Sequence, residues 1–173
     1  WNRVGHQSPP IYRMPILLFR VDERLIHGQV VIGWGSQLHP ERYLVVDDDI
    51  ADSEWEQDLY RLTVGDSTTV SFFTVEQARQ RVSEWMSADE CTLLLTRDLY
   101  SMLRLARNRL LEGKSVNLGG IHHGKGRKRV RSYLYLNDAD RGRVRALEEE
   151  GMHASGRDLP GSLKVGLADL LEE

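Results

Sequence analysis

The sequence reads Pro15-Ile-Leu-Leu-Phe-Arg-Val-Asp-Glu-Arg-Leu-Ile-His27 near its beginning, an apolar run that passes into a charged loop. Such a run, followed by apolar residues at helical spacing, is typical of a buried strand and then a helix. Further strand-like runs begin near Tyr43, Thr69, Cys91 and Ser115. Helical spacing separates most of these runs, which indicates repeated strand-helix units.

Repeated strand-helix units predict an α/β fold with one open, twisted, mostly parallel sheet and helices on both faces. The run Val130 to Leu136 alternates apolar and polar residues, which predicts an antiparallel strand at the far edge of that sheet. We expect a single domain over residues 14–173. Residues 1–13 lack periodicity and contain Pro9 and Pro10, so we interpret them as a disordered or non-native leader.

Three tryptophans fall on the apolar faces of predicted helices. Trp34, Trp55 and Trp85 are therefore expected to pack in the core. The segment Ser53-Glu-Trp-Glu56 matches a capping box, so a helix is expected to begin there, with Leu59 and Leu62 on the same face as Trp55.

The composition excludes several classes of function. The 23 Lys and Arg against 26 Asp and Glu give a net charge of −3, so no global positive field exists to hold nucleic acid. The apolar runs are far shorter than the roughly 20 residues that span a bilayer. The single cysteine, Cys91, cannot form an internal disulfide, and no secretory signal is recognisable. We therefore expect a cytoplasmic protein.

The loop after the first predicted strand concentrates reactive side chains. Ligands bind at the carboxyl ends of parallel strands, and residues 20–28 place two arginines, two carboxylates and a histidine there. His27 is a candidate nucleophile, and the first amides of the following helix favour an anion beside it. Arg24 can bind phosphate oxygens, and Arg20 can add a second cation. These residues predict a site for a phosphoryl group.

Two roles are open for Asp22 at this stage. It could accept a hydrogen bond from one ring nitrogen of His27, or it could hold Arg24 in place. A purely structural interpretation of the loop is an alternative to both roles. In that interpretation His27 caps or packs, and Asp22 and Arg24 form a surface ion pair.

A resemblance to a known family favours the chemical interpretation. The string Arg20-Val-Asp-Glu-Arg-Leu-Ile-His-Gly-Gln-Val30, followed by Trp34, closely resembles the phosphorylation loop of the IIB subunits of the mannose/fructose/sorbose family of the bacterial phosphoenolpyruvate-dependent sugar phosphotransferase system. Three further stretches are similar to the family, and the resemblance covers roughly residues 14–160. These stretches are Leu44-Val-Val-Asp-Asp48, Val116-Asn-Leu-Gly-Gly-Ile-His122 and Leu134-Tyr-Leu136.

The resemblance implies a phosphoryl relay. His27 would accept a phosphoryl group from the phosphohistidine of a IIA protein or domain and pass it to a sugar presented by the IIC and IID membrane subunits. Asp22, Arg24 and Arg20 would position and stabilise the phosphorylated ring, and the family suggests Nδ1 as the phosphorylated nitrogen. His27 must then be accessible to two partners. No nucleotide, metal or other cofactor is required.

Other residues at strand ends could complete the phosphate site. Gly28 opens the helix after His27, and Gly119, Gly120 and His122 lie at a later strand end, where backbone amides could contact phosphate. A plain turn explains this later segment equally well. We expect no metal site, because the adjacent histidines His122 and His123 lack a carboxylate or cysteine at ligand spacing.

Two charged runs have alternative interpretations. Asp47-Asp-Asp49 suggests a magnesium site, but an acidic cap at a helix N-terminus explains it better. The basic cluster comprises Lys125, Arg127, Lys128, Arg129 and Arg131. It could dock an acidic partner or discourage aggregation at a sheet edge.

Competing functions remain at this stage. One is an orphan or regulatory IIB-like phosphoprotein without sugar transfer. Another is a small nucleotide- or anion-binding module, which lacks a Walker loop or a G-x-G-x-x-G turn in this sequence. We also expect a peripheral association with the inner membrane through partner subunits, and a homodimer is an open alternative.

Overall fold

The computed structural model describes residues 15–172. The leader predicted for residues 1–13 lies outside the described residues. These described residues form eight strands, and six of the eight make up the main sheet. The strands are β1 (Ile16–Asp22), β2 (Arg42–Val46), β3 (Thr69–Phe73), β4 (Thr92–Thr96), β5 (Ser115–Gly120), β6 (Lys128–Arg131), β7 (Leu134–Leu136) and β8 (His153–Gly156).

The main sheet has the order β3-β2-β4-β1-β5-β8, and every neighbouring pair in it is parallel. Strand β4 lies in the interior of the sheet and is buried along its whole length, as its run of leucines requires. The predicted α/β fold with a mostly parallel sheet is confirmed.

Helices cover both faces of the sheet. A π-helical segment (Gln29–Trp34) leads directly into the first α-helix. The α-helices are α1 (Gly35–Leu38), α2 (Asp48–Ala51), α3 (Glu54–Val64), α4 (Val75–Ser87), α5 (Leu99–Ala106), α6 (Asp138–Glu149) and α7 (Leu167–Leu171). One hydrophobic core includes residues of α4 to α7, and a second core on the other face includes residues of the π-helical segment and α3.

The antiparallel strands lie elsewhere than the sequence pattern predicts. The run Val130 to Leu136 was expected at the edge of the main sheet, but it is divided between β6 and β7, which pair with each other in a separate two-stranded sheet. Strand β8 occupies the edge position instead, because its four residues pair in register with β5. Among residues 15–172, a single bridge, between Ile121 directly after β5 and Leu134, links the backbone of the β6-β7 hairpin to the end of the main sheet.

Helix α3 departs most from its prediction. Its Trp55 side is exposed, whereas Trp34 and Trp85 are buried as predicted. Helix α3 packs against the sheet through Tyr60 and Val64, which lie on the opposite side of the helix from Trp55. The Ser53 side chain makes no capping hydrogen bond.

Candidate functional site

The loop that follows β1 is held in a tight and strained turn. The Leu25 amide donates to the carbonyl of Asp22 over 2.9 Å, and Leu25 is fully buried with a φ of 54°. A bulky residue in the left-handed region costs about 1 to 3 kcal/mol and is typical of functional sites. The Glu23 amide donates to the carbonyl of Gly120 over 2.8 Å, which ties the loop to the end of β5.

His27 is oriented by the carboxylate of Asp22. The His27 Nε2 atom lies 3.1 Å from Asp22 Oδ2, and the His27 side chain is 15% exposed. The Gln29 amide lies 3.4 Å from His27 Nδ1 and donates to it. An ionised carboxylate can only accept hydrogen bonds, so this pairing assigns the ring proton to Nε2. The Nδ1 lone pair then faces the first turn of the π-helical segment.

Asp22 is buried and stays ionised because three groups contact it. Burial alone would raise the pKa of Asp22, but the hydrogen bond with His27 and the charge of Arg20 outweigh burial and lower that pKa below its ordinary value. The backbone amide of Arg24 also donates to Asp22, over 3.1 Å. Of the two roles left open for Asp22, the structure therefore shows the hydrogen bond to His27, whereas the Arg24 side chain contacts Gln29.

Arg20 lies beneath the site, although the sequence predicted that it would contact phosphate directly. Its side chain is fully buried. It donates twice to Asp22 Oδ2, over 3.3 Å from Nε and over 2.9 Å from Nη2, and once to Asn117 Oδ1, over 2.6 Å. It also donates to the carbonyls of Arg157 and Asp158. Burial lowers the pKa of Arg20, and Asp22 opposes that effect. These contacts engage all five N–H groups of the guanidinium, so in this arrangement it supports the Asp22 carboxylate.

Gly119 and Gly120 provide the space for these two side chains. A Cβ at Gly119 would overlap the guanidinium of Arg20. A Cβ at Gly120 would lie 2.8 Å from Oδ1 of Asp22. The glycine pair therefore lets the charged side chains of β1 lie directly across the backbone of β5.

Arg24 and Gly28 lie at the open side of the loop. Arg24 is exposed, and its one side-chain hydrogen bond among the described residues goes to Gln29 Oε1 over 3.1 Å. Gly28 is also exposed, and a Cβ there would meet no atom within 4 Å. Nothing in the described fold thus requires a glycine at this position.

His122 belongs to a neighbouring network around Glu23. Its Nδ1 atom and its backbone amide each lie 2.9 Å from Glu23 Oε2. Arg127 donates to Glu23 Oε1 over 2.6 Å and to Asp140 over 3.1 Å. Burial opposes the ionisation of Glu23, but the hydrogen bonds from His122 and Arg127 lower its pKa. The structure therefore pairs His122 with Glu23, and it involves Arg127 of the basic cluster in ion pairs.

Two supporting residues were not predicted from the sequence. Asn117 accepts the shortest of the Arg20 hydrogen bonds. Trp34 donates from Nε1 to the carbonyl of Asp158 over 2.7 Å, and the guanidinium carbon of Arg20 lies 5.6 Å from the centre of its ring. The sequence did carry a signal for Asn117, because it is a polar residue between the apolar residues Val116 and Leu118 of a predicted strand.

The acidic run after β2 caps a helix. Asp47 Oδ1 accepts hydrogen bonds from the amides of Asp49 and Ile50 at the start of α2. Asp47 also pairs with Arg97, and Asp48 pairs with Arg104. Among residues 15–172, no three His, Cys, Asp or Glu side chains are grouped so that they could hold a metal ion.

Comparison with known proteins identifies relatives of this chain. The family model described as the PTS system sorbose subfamily IIB component, where PTS stands for phosphotransferase system, matches residues 16–173. The chain belongs to this family. This IIB component is 30% identical over 155 residues to the N-acetylgalactosamine-specific phosphotransferase enzyme IIB component 1 of Escherichia coli K12, covering 89% of this chain and 97% of the relative.

A second relative and two solved structures are also similar to this IIB component. The sorbose-specific EIIB component of Klebsiella pneumoniae is 26% identical over 160 residues, which cover 92% of this chain and 97% of the relative. The crystal structure of the Escherichia coli N-acetylgalactosamine-specific IIB component 1 superimposes with a TM-score of 0.76 at 30% identity, over 87% of this chain and 97% of the other. The crystal structure of the IIB domain of the Klebsiella pneumoniae sorbose permease superimposes with a TM-score of 0.78 at 25% identity, over 90% of this chain and 95% of the other.

Membership of the family gives the general activity. IIB components are phosphotransferase domains that take a phosphoryl group from IIA and transfer it to a sugar, and they work together with the IIC and IID components. None of the helices formed by residues 15–172 has the length and apolar character needed to cross a membrane.

Proposed function

We propose that this IIB component carries the phosphoryl group on Nδ1 of His27. The observation that carries the proposal is the contact of 3.1 Å between His27 Nε2 and the buried Asp22 carboxylate. That contact leaves Nδ1 as the nucleophilic nitrogen and turns it toward the Gln29 amide. His27 keeps 15% of its side chain exposed, which gives a partner access to the ring edge.

The first transfer exchanges one phosphorus-nitrogen bond for another. The Nδ1 lone pair of His27 attacks the phosphorus of the IIA phosphohistidine, and the electron pair of the broken bond returns to the IIA histidine. The second transfer reverses the role of His27. A sugar hydroxyl attacks phosphorus, loses its proton to solvent, and the electron pair of the broken bond returns to Nδ1. Asp22 stabilises the positive charge that the ring carries while it is phosphorylated.

The transferring phosphoryl group spreads negative charge over three oxygens. Arg24 is the candidate to neutralise that charge, because its guanidinium is exposed and shares one hydrogen bond with Gln29. Positively polarised amides at the start of the π-helical segment add to this field. Gly28 is the proposed point of closest approach for a phosphoryl group or a partner backbone.

Arg20 is proposed as a positioning residue that acts through Asp22. Its buried guanidinium fixes the carboxylate, and Gly119 and Gly120 give both side chains their space. Direct contacts of Gly119, Gly120 and His122 with phosphate stay predictions. His122 would first have to exchange its bond to Glu23 for one to phosphate.

The proposed setting is a cytoplasmic relay in a single domain that spans residues 14–173. The phosphoryl donor is a IIA protein or domain, and the acceptor sugar is presented by IIC and IID membrane subunits, which would hold this chain at the inner membrane. The relatives are specific for N-acetylgalactosamine and sorbose by name. We propose an acceptor among such sugars.

Labelling with phosphorylated IIA tests the proposal. The wild-type protein is incubated with IIA carrying radioactive phosphate, and the protein-bound label is measured. We expect stable label in the wild type and in His153→Ala, and no label in His27→Ala. The ring of His153 is 70% exposed and lies at the start of β8 beside the start of β5, at the opposite end of these strands from the site. Full labelling of His27→Ala would refute the assignment.

A further inference from the structure

The exposed side of α3 forms an apolar strip in a strongly acidic surface. Trp55 is 68% exposed, Leu59 54% and Leu62 80%, and their spacing of four and three residues places them on one side of the helix. The opposite side packs on the sheet through Tyr60 and Val64. Such large apolar side chains aligned on a surface typically mark an interaction site. We call these three residues the α3 strip.

The charges around the α3 strip restrict its partner. Residues 48–66 contain seven Asp and Glu and one arginine, a net charge of −6 in a chain whose total is −3. The one arginine, Arg61, is paired with Asp58 over 2.8 Å. A complementary surface must therefore present apolar side chains surrounded by lysine and arginine. An anionic lipid surface is disfavoured, because it would face this charge with the same sign.

The α3 strip lies on the same face of the sheet as the candidate site. Val30 and Trp34 of the π-helical segment share one hydrophobic core with Tyr60 and Val64 of α3. Strand β2, which leads into α2 and α3, is two positions from β1 in the sheet, so the strand ends lie about 10 Å apart. A partner that buries about 800 Å² on each side can cover both features at once.

We propose that the α3 strip docks the cytoplasmic side of the IIC and IID membrane subunits and so brings His27 to the sugar. The cytoplasmic loops of membrane proteins carry an excess of lysine and arginine, which is the charge that this surface requires. The proposal rests on the proposed relay, because it assigns one of the two partners to a defined surface.

Binding to membrane vesicles tests the docking surface without phosphoryl chemistry. Purified protein is mixed with vesicles that contain the IIC and IID subunits of the same transport system, or with vesicles of the same lipids without these subunits. The protein that sediments with the vesicles is measured. We expect wild-type protein to bind the subunit-containing vesicles, and Trp55→Ser to bind them at least tenfold more weakly. Glu54→Lys with Glu56→Lys weakens binding most at low salt, because those charges act over a distance. Leu163→Ser is the matched control, since Leu163 is 91% exposed outside the strip and its loss should leave binding unchanged.

Four results would overturn the docking proposal. Wild-type affinity of Trp55→Ser for the subunit-containing vesicles would remove the strip from the interface. Equal binding to vesicles without the subunits would make lipid the partner. If the wild type is a dimer in solution and Trp55→Ser is a monomer, the partner of the strip is a second copy of this chain. If Trp55→Ser slows the labelling of His27 by phosphorylated IIA as much as it weakens vesicle binding, the partner is IIA. Loss of labelling in the wild type with vesicle binding intact would instead refute the proposed relay alone.

Discussion

The substitution Gly119→Ala tests the packing on which the candidate site depends. Gly119 has an ordinary strand conformation, so alanine by itself causes no backbone strain there. The added Cβ, however, overlaps the guanidinium of Arg20. Arg20 is fully buried and held by Asp22, Asn117 and two carbonyls, so it cannot turn aside into solvent without breaking its ion pair.

The expected loss is the cost of breaking a buried ion pair. That cost is about 3 to 5 kcal/mol, because one buried charge is left without its partner. With a typical slope of about 2 kcal/mol per molar urea, the unfolding midpoint should fall by about 1.5 to 2.5 M. The free energy of unfolding is measured by urea titration with tryptophan fluorescence.

Gly142→Ala is the matched control for this measurement. Gly142 is exposed inside α6, and a Cβ there meets no atom within 4 Å. Alanine should therefore stabilise the helix by about 0.5 to 1 kcal/mol. A loss of less than about 1 kcal/mol in Gly119→Ala, with the expected gain in Gly142→Ala, would refute the reasoning about the buried pair.

Three further substitutions or conditions test other parts of the site. Asn117→Leu removes the acceptor for Arg20 and should lower the free energy of unfolding by about 1.5 to 3 kcal/mol, whereas Asn117→Asp keeps an acceptor and should keep most of the wild-type stability. Equal stabilities of the two variants would contradict the role of Asn117. Folding lowers the pKa of Asp22 below 3.8 and the pKa of Glu23 below 4.5, so the folded state binds fewer protons than the unfolded state near pH 4. Thermal melts should therefore show full stability above about pH 5 and a progressive loss of stability as the pH falls through these values. A melting temperature that stays constant down to about pH 3 would contradict the pKa shifts. Gly28→Ala should leave folding unchanged or gain up to about 1 kcal/mol, yet slow phosphoryl transfer from IIA, and an unchanged transfer rate would remove Gly28 from the site.

The parallel sheet could be predicted because its strands have strong local signals. Runs such as Thr92 to Thr96 are buried on both faces and therefore apolar throughout. The capping boxes that the structure shows at Thr74 and Asn137 also depend on residues only three positions apart. The edge position of β8 carried a weaker signal, since a four-residue strand with His153 and Ser155 resembles a loop in sequence.

The exposure of Trp55 could not be predicted from helical spacing. Spacing shows that Trp55, Leu59 and Leu62 share a side of α3, but it does not show which side meets the sheet. Tyr60 and Val64 fill that position, and α3 covers only a narrow stripe of the core, because none of its residues is fully buried. An apolar side that faces solvent has the same pattern as one that faces a core.

The arrangement of the site residues was predictable in its local part. His27 and Asp22 lie five residues apart in one loop, and the structure brings them together. The burial of Arg20 was not predictable, because it depends on Asn117 and on carbonyls at positions 157 and 158, more than 90 residues away. The pairing of His122 with Glu23 across 99 residues is of the same kind.

The nitrogen of His27 that bears phosphorus tests the central claim most directly. The IIB component is labelled with ¹⁵N in its histidines, phosphorylated by IIA, and studied by ³¹P and ¹⁵N NMR. The account predicts a proton on Nε2 before phosphorylation and a phosphorus-nitrogen bond at Nδ1 of His27 afterwards. A phosphorus bond at Nε2, or at any other histidine, would contradict it.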